Sequence, residues 1–191
     1  HNFPYKQTLG HQDKFRQKFE IRPDQKILLY QGVIAPNRGC EQLVEAFKDM
    51  PDQFVLVLLG YGSLWNSIKA MSSDMNNVFM HEAVGRKELL KHTASADYGI
   101  YSIINTNQSH DYALGNKIFE YIMAGLPIIS TNLKGPKSFL KEAFTVFIDA
   151  INKDNLENAI EHFNSLDQST LSKDIKDFAA TANWDREQQK L

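Results

Sequence analysis

Two cationic side chains occupy positions where they could bind an anionic ligand. Arg38 lies between Gly32 and Gly39, directly before a stretch of helical periodicity, and Lys117 lies in the first turn of a second predicted helix, after Gly115. A cation at a helix N-terminus is unfavourable by about 0.3 to 1 kcal/mol unless an anion binds there, because that end of the helix dipole is positive. The free backbone amides of helix N-termini also bind phosphates. The two cations therefore predict one shared diphosphate site.

A carboxylate accompanies the second cation. Glu120 lies three residues after Lys117, so both side chains emerge on one face of the predicted helix. The lysine would neutralise phosphate, and the carboxylate would accept hydrogen bonds from ribose hydroxyls. The alternative for this pair is a surface salt bridge of little energetic value. Arg38 has a similar alternative, in which it pairs on the surface with Glu41 or Glu45.

Other chemical patterns are weak. The turn Gly60-Tyr61-Gly62-Ser63 resembles the beginning of a dinucleotide-binding loop, but Trp65 occupies the place of its third glycine. The histidines are scattered without a ligand spacing, so no metal site is predicted. Ser102, Ser109 and His110 do not form a nucleophile elbow, which leaves a hydrolase triad without support.

The order of apolar and amphipathic segments predicts how the candidate residues are positioned. Short apolar runs alternate with stretches of helical period from Lys26 onward, which is typical of βα units and a parallel sheet. The runs are apolar on both faces, so helices should cover both sides of the sheet. The fold class predicted is α/β, a doubly wound Rossmann-like parallel sheet that binds ligands at the carboxyl ends of its strands. The predicted strands are 27–31, 54–59, 78–80, 98–102, 127–130 and 145–148, and the predicted helices are 40–48, 63–71, 86–94, 114–124, 137–141, 154–165 and 171–180.

Composition limits the class of protein. With 191 residues and 42% hydrophobic side chains, the chain can bury the core of one domain. Its net charge of −2 gives no support to nucleic acid or an anionic membrane as a partner, and no apolar run is long enough to span a bilayer. A single cysteine, Cys40, excludes an intramolecular disulfide and suits a reducing compartment. A cytoplasmic location is expected, with membrane association of a longer protein left open.

Several segments resemble a known family, the retaining glycosyltransferases with the two-domain B fold, of the group 1 or family 4 type. The strand 27–32, the triplet 37–39 and the helical segment 43–47 are similar to the first βα unit of the family's C-terminal, donor-binding domain. The segment 116–129, Asn-Lys-Ile-Phe-Glu-Tyr-Ile-Met-Ala-Gly-Leu-Pro-Ile-Ile, is similar to the family's most characteristic helix and strand. The segment 183–187, Asn-Trp-Asp-Arg-Glu, resembles its closing helix.

The resemblance implies roles for individual residues. Arg38 and Lys117 match the family's phosphate ligands, Glu120 matches the carboxylate that binds ribose, and the base is expected near residues 81–84. No cofactor or metal is implied besides the nucleoside-diphosphate sugar donor. The donor-binding residues implied are Gly32, Arg38, Gly39, Lys117 and Glu120, and further candidates for base or sugar contacts are Gly60, His81, Asp111, Tyr112, Leu114, Gly115 and Asn116.

Two positions differ from the family pattern. Many members carry a second basic residue where this chain has Val33, and many carry a glutamate eight positions before the ribose carboxylate, where this chain has Tyr112. Asp111 and His110 are the candidates to replace that glutamate.

The expected function follows from the resemblance. Residues 25–191 would be a nucleotide-sugar-binding domain for retaining transfer to an acceptor hydroxyl, in glycan or polysaccharide biosynthesis. Residues 1–24 would be a linker from a missing N-terminal acceptor domain, which would bind a glycan or lipid-linked acceptor. The isolated domain is expected to be inactive in transfer. The alternatives are half of a sugar-nucleotide epimerase and a non-catalytic nucleotide-binding or interaction module.

Overall fold

A six-stranded parallel sheet forms the centre of the structure, a computed structural model that describes residues 12–181. The order across the sheet is β3-β2-β1-β4-β5-β6, and every neighbouring pair is parallel. The direction of winding reverses between β1 and β4, the point at which doubly wound sheets bind ligands. The strands are β1 Lys26–Val33, β2 Phe54–Tyr61, β3 Val78–Glu82, β4 Tyr98–Tyr101, β5 Ile128–Thr131 and β6 Thr145–Ile148.

Helices connect the strands and cover the sheet, as the apolar runs predict. Ile27 to Tyr30 and Phe54 to Leu59 are buried, because both faces of the central strands lie against other elements. This arrangement confirms the predicted α/β, doubly wound fold. The helices are α1 Lys14–Phe19, α2 Cys40–Phe47, α3 Trp65–Met71, α4 Arg86–Thr93, α5 Gln108–Asp111, α6 Asn116–Ala124, α7 Lys134–Phe139, α8 Lys153–Ser165 and α9 Gln168–Thr181.

Two helices were missed by the prediction, and α7 and α9 each begin three residues earlier than predicted. α1 and α5 were not predicted, because each is too short to show a helical period in the sequence. Asn107 caps α5 by accepting a hydrogen bond from the backbone amide of His110. α7 begins at Lys134, three residues earlier than predicted, since Pro136 lies in its first turn, where proline is tolerated.

The part of the predicted linker that the structure describes, residues 12–24, packs against the domain. The side chain of Phe15 in α1 is fully buried. Arg16 of the same helix forms a salt bridge of 2.9 Å with Asp97, which directly precedes β4. A connection from residues 1–24 to an acceptor domain stays a prediction.

A tyrosine hydroxyl takes the place of backbone pairing where β1 and β4 separate. The two strands pair only through Leu28 with Tyr98 and Leu29 with Gly99, although both continue beyond these residues. Further along, the buried hydroxyl of Tyr121 in α6 is shared between the carbonyl oxygens of Leu29 and Ile100, at 3.0 and 3.2 Å. It also accepts a hydrogen bond of 3.2 Å from the backbone amide of Gln31.

The ring of Tyr121 needs the space that a glycine leaves. A Cβ atom at Gly99 would lie 2.5 Å from the tyrosine ring, closer than side chains pack. Gly99 and Tyr121 therefore fix how closely α6 approaches the two central strands.

Replacing Tyr121 with phenylalanine tests this bridge. Tyr121→Phe leaves the buried amide of Gln31 and the carbonyl oxygens of Leu29 and Ile100 without their shared partner, so the free energy of unfolding should fall by about 1 to 3 kcal/mol. Urea denaturation measures the change. Tyr61→Phe is the matched control, because the side chain of Tyr61 is 63% exposed, and its stability should equal that of the unsubstituted chain. Equal stability of both variants would contradict the bridging role.

Candidate functional site

A cleft of about 360 Å³ opens at the carboxyl ends of β1 and β2. Its walls come from the ends of these strands, the loop between β1 and α2, the loop after β3, and the N-terminal halves of α4 and α6. It lies at the point where the strand order reverses, as expected for a ligand site in this fold. The lining residues are Tyr30, Gln31, Gly32, Val33, Arg38, Leu59, Gly60, Tyr61, Ala83, Val84, Leu89, Asn116, Lys117 and Glu120.

The loop between β1 and α2 places Arg38 in the wall of the cleft. Gly32, the second-last residue of β1, has φ 123°, and Gly39, with φ 77°, precedes α2. A Cβ atom at Gly39 would lie 2.2 Å from the carbonyl oxygen of Ser102, so this close approach requires glycine. The hydroxyl of Ser102 donates a hydrogen bond of 2.7 Å to the carbonyl oxygen of Arg38. The end of β4 therefore holds the loop in position.

Lys117 reaches the same cleft from the first turn of α6. Its Nζ atom lies 3.7 Å from the centre of the Tyr30 ring, a cation–π contact. A Cβ atom at Gly32 would lie 3.4 Å from Cε of Lys117, so the glycine leaves room for the lysine to extend along the cleft. The N-cap residue of α6, Gly115, offers no side-chain cap for the free backbone amides. An anion in this position would meet both the amides and the ammonium group.

The surface salt bridges considered as alternatives do not form within residues 12–181. The salt bridges of this part of the chain include neither Lys117 nor Arg38. Glu45, one candidate partner of Arg38, instead pairs with Lys48 at 2.6 Å. Both cations of the cleft therefore face it without a carboxylate of the described chain bonded to them.

Glu120 is oriented by a buried amide. Nε2 of Gln31 donates a hydrogen bond to Oε2 of Glu120, and Oε1 of Gln31 accepts one of 2.8 Å from the hydroxyl of Thr93. Gln31 lies in β1 and Thr93 in α4, so three elements meet at this carboxylate. Its partner is thus Gln31 rather than Lys117.

Burial shifts the protonation of both charged residues of α6 toward neutrality. Burial is the main reason that the pKa of Lys117 is lowered to about 7; the charge of Arg38 contributes to this shift, while Cys40 and Glu120 oppose it. Burial raises the pKa of the Glu120 carboxyl, and the hydrogen bond from Gln31 and the charge of Lys117 oppose that change. A bound phosphate would reverse the shift of Lys117, because an adjacent negative charge favours the ammonium form.

The structure brings together six of the residues named as candidates in the lining of the cleft: Gly32, Arg38, Gly60, Asn116, Lys117 and Glu120. Gly39 shapes the loop that carries Arg38 but does not line the cleft. Leu114 and Gly115 are also absent from the lining, although Gly115 is the N-cap of α6. Gly39 and Gly115 affect the site through the backbone next to the helix starts, whereas Leu114 packs against the hydrophobic core.

His81 does not face the cleft, in contrast to the prediction. Its ring is buried among Phe15, Phe19 and His92, with ring centres 5.8, 5.9 and 5.1 Å away. This burial lowers the pKa of His81. The reason for the difference is α1, which covers this side chain from the segment predicted as a linker. Val84, three residues later in the same predicted region, does line the cleft.

Neither Asp111 nor Tyr112 lies in the cleft. Asp111 accepts a hydrogen bond of 3.1 Å from the backbone amide of Lys134 and forms a salt bridge of 3.0 Å with its ammonium group. The side chain of Tyr112 is 58% exposed, with the ammonium of Lys134 5.4 Å from its ring centre. The other candidate substitute, His110, contacts Thr106 at 2.9 Å through Nδ1. The unpredicted helix α5 turns these side chains away.

Sequence reasoning missed part of the lining. Gln31 is the one with a visible signal, since it is a polar residue at the end of an otherwise apolar strand. No sequence signal points to the others, because they enter the cleft through the register of the strands and the packing of α4. The unpredicted lining residues are Tyr30, Gln31, Val33, Leu59, Tyr61 and Leu89.

Two further properties concern residues 12–181 only. No group of three or more histidine, cysteine, aspartate or glutamate residues in this range could hold a metal ion. No helix in the same range combines the length and the apolar character that crossing a membrane requires.

Comparisons with known proteins place these features in a family. Residues 11–181 match the family described as glycosyl transferases group 1. The lipopolysaccharide core biosynthesis glycosyltransferase LpsE of Rhizobium meliloti (strain 1021) is 25% identical over 148 residues, which make up 76% of this chain and 42% of LpsE.

Solved structures share the fold. WaaG, a glycosyltransferase involved in lipopolysaccharide biosynthesis, aligns with a TM-score of 0.66 at 21% identity, over 88% of this chain and 46% of WaaG. HepE of Anabaena in complex with UDP and glucose aligns with a TM-score of 0.70 at 16% identity, over 88% of this chain and 46% of HepE. The chain thus spans less than half the length of LpsE, WaaG and HepE.

The shifted pKa of Lys117 predicts how stability depends on pH. Between about 7 and the ordinary value of 10.5, the unfolded chain binds a proton at this lysine that the folded chain does not, so the free energy of unfolding rises with pH. Lys117→Met keeps an unbranched side chain in this position and removes the titration. At pH 7 the variant should be more stable by several kcal/mol, because holding the pKa of Lys117 at about 7 instead of 10.5 costs the folded chain roughly 4 to 5 kcal/mol, and the difference should shrink toward pH 10.

Denaturation by urea across this pH range is the measurement. Lys69→Met serves as the control, because Lys69 is an exposed helical lysine outside the cleft, and it should leave the pH dependence unchanged. A Lys117→Met variant whose stability follows that of the unsubstituted chain at every pH would disprove the burial of a titrating ammonium.

Proposed function

Since the chain belongs to the glycosyl transferases group 1, we propose that its cleft binds the nucleoside-diphosphate part of a nucleotide-sugar donor. The observation that carries this proposal is the convergence of Arg38 and Lys117, both without carboxylate partners in residues 12–181, at the N-termini of α2 and α6. Residues 25–191 would form the donor-binding domain, with α1 packed against it.

The diphosphate would lie between the two helix N-termini. Arg38 offers a fork of donors suited to phosphate oxygens, and Lys117 offers a compact positive charge. The uncapped amides of α6 add donors that need no reorganisation. Because Lys117 is desolvated in the cleft, its interaction with phosphate would take place at a low local dielectric, which strengthens it.

Ribose would lie against Glu120, deeper along the same face of α6. The carboxylate keeps Oε2 on Gln31, which leaves Oε1 for hydroxyl donors of a ligand. The base would lie in the apolar part of the cleft, formed by Leu59, Val84 and Leu89. UDP is the probe of choice for these contacts, because the related fold of HepE was solved in complex with it.

The chemistry proposed is transfer of the sugar to an acceptor hydroxyl with retention of configuration. Breaking the bond between sugar and diphosphate leaves negative charge on the departing phosphate oxygen. Arg38, Lys117 and the amides of α6 would stabilise that charge most strongly in the transition state, which accelerates departure. Glu120 would hold the nucleoside in place while the bond breaks.

The acceptor is proposed to be a glycan or lipid-linked molecule bound by a domain outside this chain. Two matched relatives, LpsE and WaaG, are described as lipopolysaccharide biosynthesis glycosyltransferases, and the chain spans 42% and 46% of their lengths. Glycan biosynthesis is therefore the process proposed for the longer protein.

A comparison of UDP with UMP tests the diphosphate site. UDP should bind more tightly than UMP, because only UDP places a second phosphate between the cations, and added salt should weaken UDP more. Arg38→Gln and Lys117→Gln should each weaken UDP by about ten-fold or more with a smaller effect on UMP. Isothermal titration calorimetry gives these affinities, with Lys69→Gln as an exposed control. Equal affinities of the unsubstituted chain for UDP and UMP would refute the proposed site.

Proton linkage gives an independent test of Lys117. At pH 8 the lysine of the free cleft is mostly neutral, since its pKa is about 7, and a bound diphosphate should restore the ammonium form. UDP binding at this pH should therefore take up protons, seen as an enthalpy that varies with the ionisation enthalpy of the buffer. Lys117→Gln should abolish the uptake. If proton uptake persisted in this variant, the proton acceptor would be a group other than Lys117.

A further inference from the structure

We propose that Gln31 and Thr93 are positioning residues, which hold the Glu120 carboxylate in the one orientation that accepts hydrogen bonds from both ribose hydroxyls. This inference rests on the proposed function, because it concerns the same cleft. Neither residue has a role in the nucleotide contacts described above, and Thr93 does not line the cleft.

The two residues are buried beneath the site. The side chain of Gln31 is 1% exposed and that of Thr93 is 0% exposed. A polar group in such a position loses free energy unless it is hydrogen-bonded, so its presence in an apolar strand requires partners. Gln31 has them on both sides, the carboxylate of Glu120 and the hydroxyl of Thr93.

The chain of hydrogen bonds has one direction. An ionised carboxylate only accepts, so Glu120 requires the NH₂ end of the Gln31 amide. The carbonyl end of the amide then faces Thr93, whose hydroxyl can donate to it at 2.8 Å. The same hydroxyl lies 2.9 Å from the carbonyl oxygen of Leu89 in α4, which fixes its place on the helix. The place of Thr93 on α4 thereby determines, through Gln31, the orientation of the Glu120 carboxylate.

The direction of these hydrogen bonds determines which carboxylate oxygen of Glu120 is left for a ligand. The bond from Gln31 occupies Oε2 of Glu120, and no other side chain of residues 12–181 donates to this carboxylate. Charge from Lys117 and Arg86 acts on Glu120 without fixing its orientation. A carboxylate free to rotate would lose entropy on binding, whereas one already held by Gln31 does not. The held orientation should favour a ligand with two adjacent hydroxyls.

The test compares UDP with 2′,3′-dideoxy-UDP, which differs only in those hydroxyls, on the 191-residue chain. The unsubstituted chain should prefer UDP by about ten-fold or more, as expected for hydrogen bonds to a charged group. Gln31→Met and the isosteric Thr93→Val should reduce this preference by several-fold and change the affinity for dideoxy-UDP little. Thr93→Ser, which keeps the hydroxyl, should restore the preference. Titration calorimetry measures all eight affinities.

Thr145→Val is the matched control for Thr93→Val. Thr145 is also buried, its hydroxyl has no hydrogen-bond partner within residues 12–181, and it lies in β6 away from the cleft. Its variant should keep the full preference for UDP. If Gln31→Met does not fold, the pair Thr93→Val and Thr93→Ser decides the question.

The outcomes separate the two proposals. No binding of UDP by the unsubstituted chain would overturn the proposed function and this inference with it. Binding of UDP with the same preference over dideoxy-UDP in every variant would overturn the positioning role alone. A loss of affinity for both ligands in equal proportion would also overturn it, because it would show general damage to the cleft.

Discussion

The separation of β1 from β4 is the constraint on which the site depends. Backbone pairing between these strands ends at Leu29 and Gly99, and the hydroxyl of Tyr121 supplies the bonds that the sheet no longer makes. Tyr121 follows Glu120 directly and lies one turn after Lys117, so the bond that closes the gap also sets the rotation of α6 about its axis. The fold therefore positions both functional side chains through one buried contact in the core.

The surroundings of the cleft disfavour the charges that line it. Lys117 lies over the ring of Tyr30 with Arg38 nearby, and burial lowers its pKa to about 7. Burial raises the pKa of Glu120, although Gln31 opposes the change. Charged side chains with a purely structural role are seldom found in such surroundings. A buried charge without an oppositely charged partner costs more free energy than a paired one. Desolvated charges beside uncapped amides are expected where a ligand supplies the missing charge.

Much of the fold could be predicted from the sequence, and the site only in part. The strands follow from apolar runs, and Lys117 and Glu120 follow from helical spacing, because both signals are local. The partner of Glu120 is not local: Gln31 lies 89 residues away along the chain and meets it only through the packing of α6 on β1. His81 and Asp111, two of the candidates, lie outside the lining of the cleft for a similar reason. The short helices α1 and α5, which have too few residues to show a period, cover one and turn the other away.

Because Tyr121 packs against Gly99, a residue outside the cleft influences which ligand the cleft accepts. A methyl group at Gly99 would collide with the tyrosine ring and push α6 outward, and the helix carries the ammonium and the carboxylate with it. Such a variant would resemble a defect in the active site, although the altered residue touches no substrate. We therefore expect related sequences to vary at these two positions together, with glycine at position 99 wherever tyrosine occupies position 121.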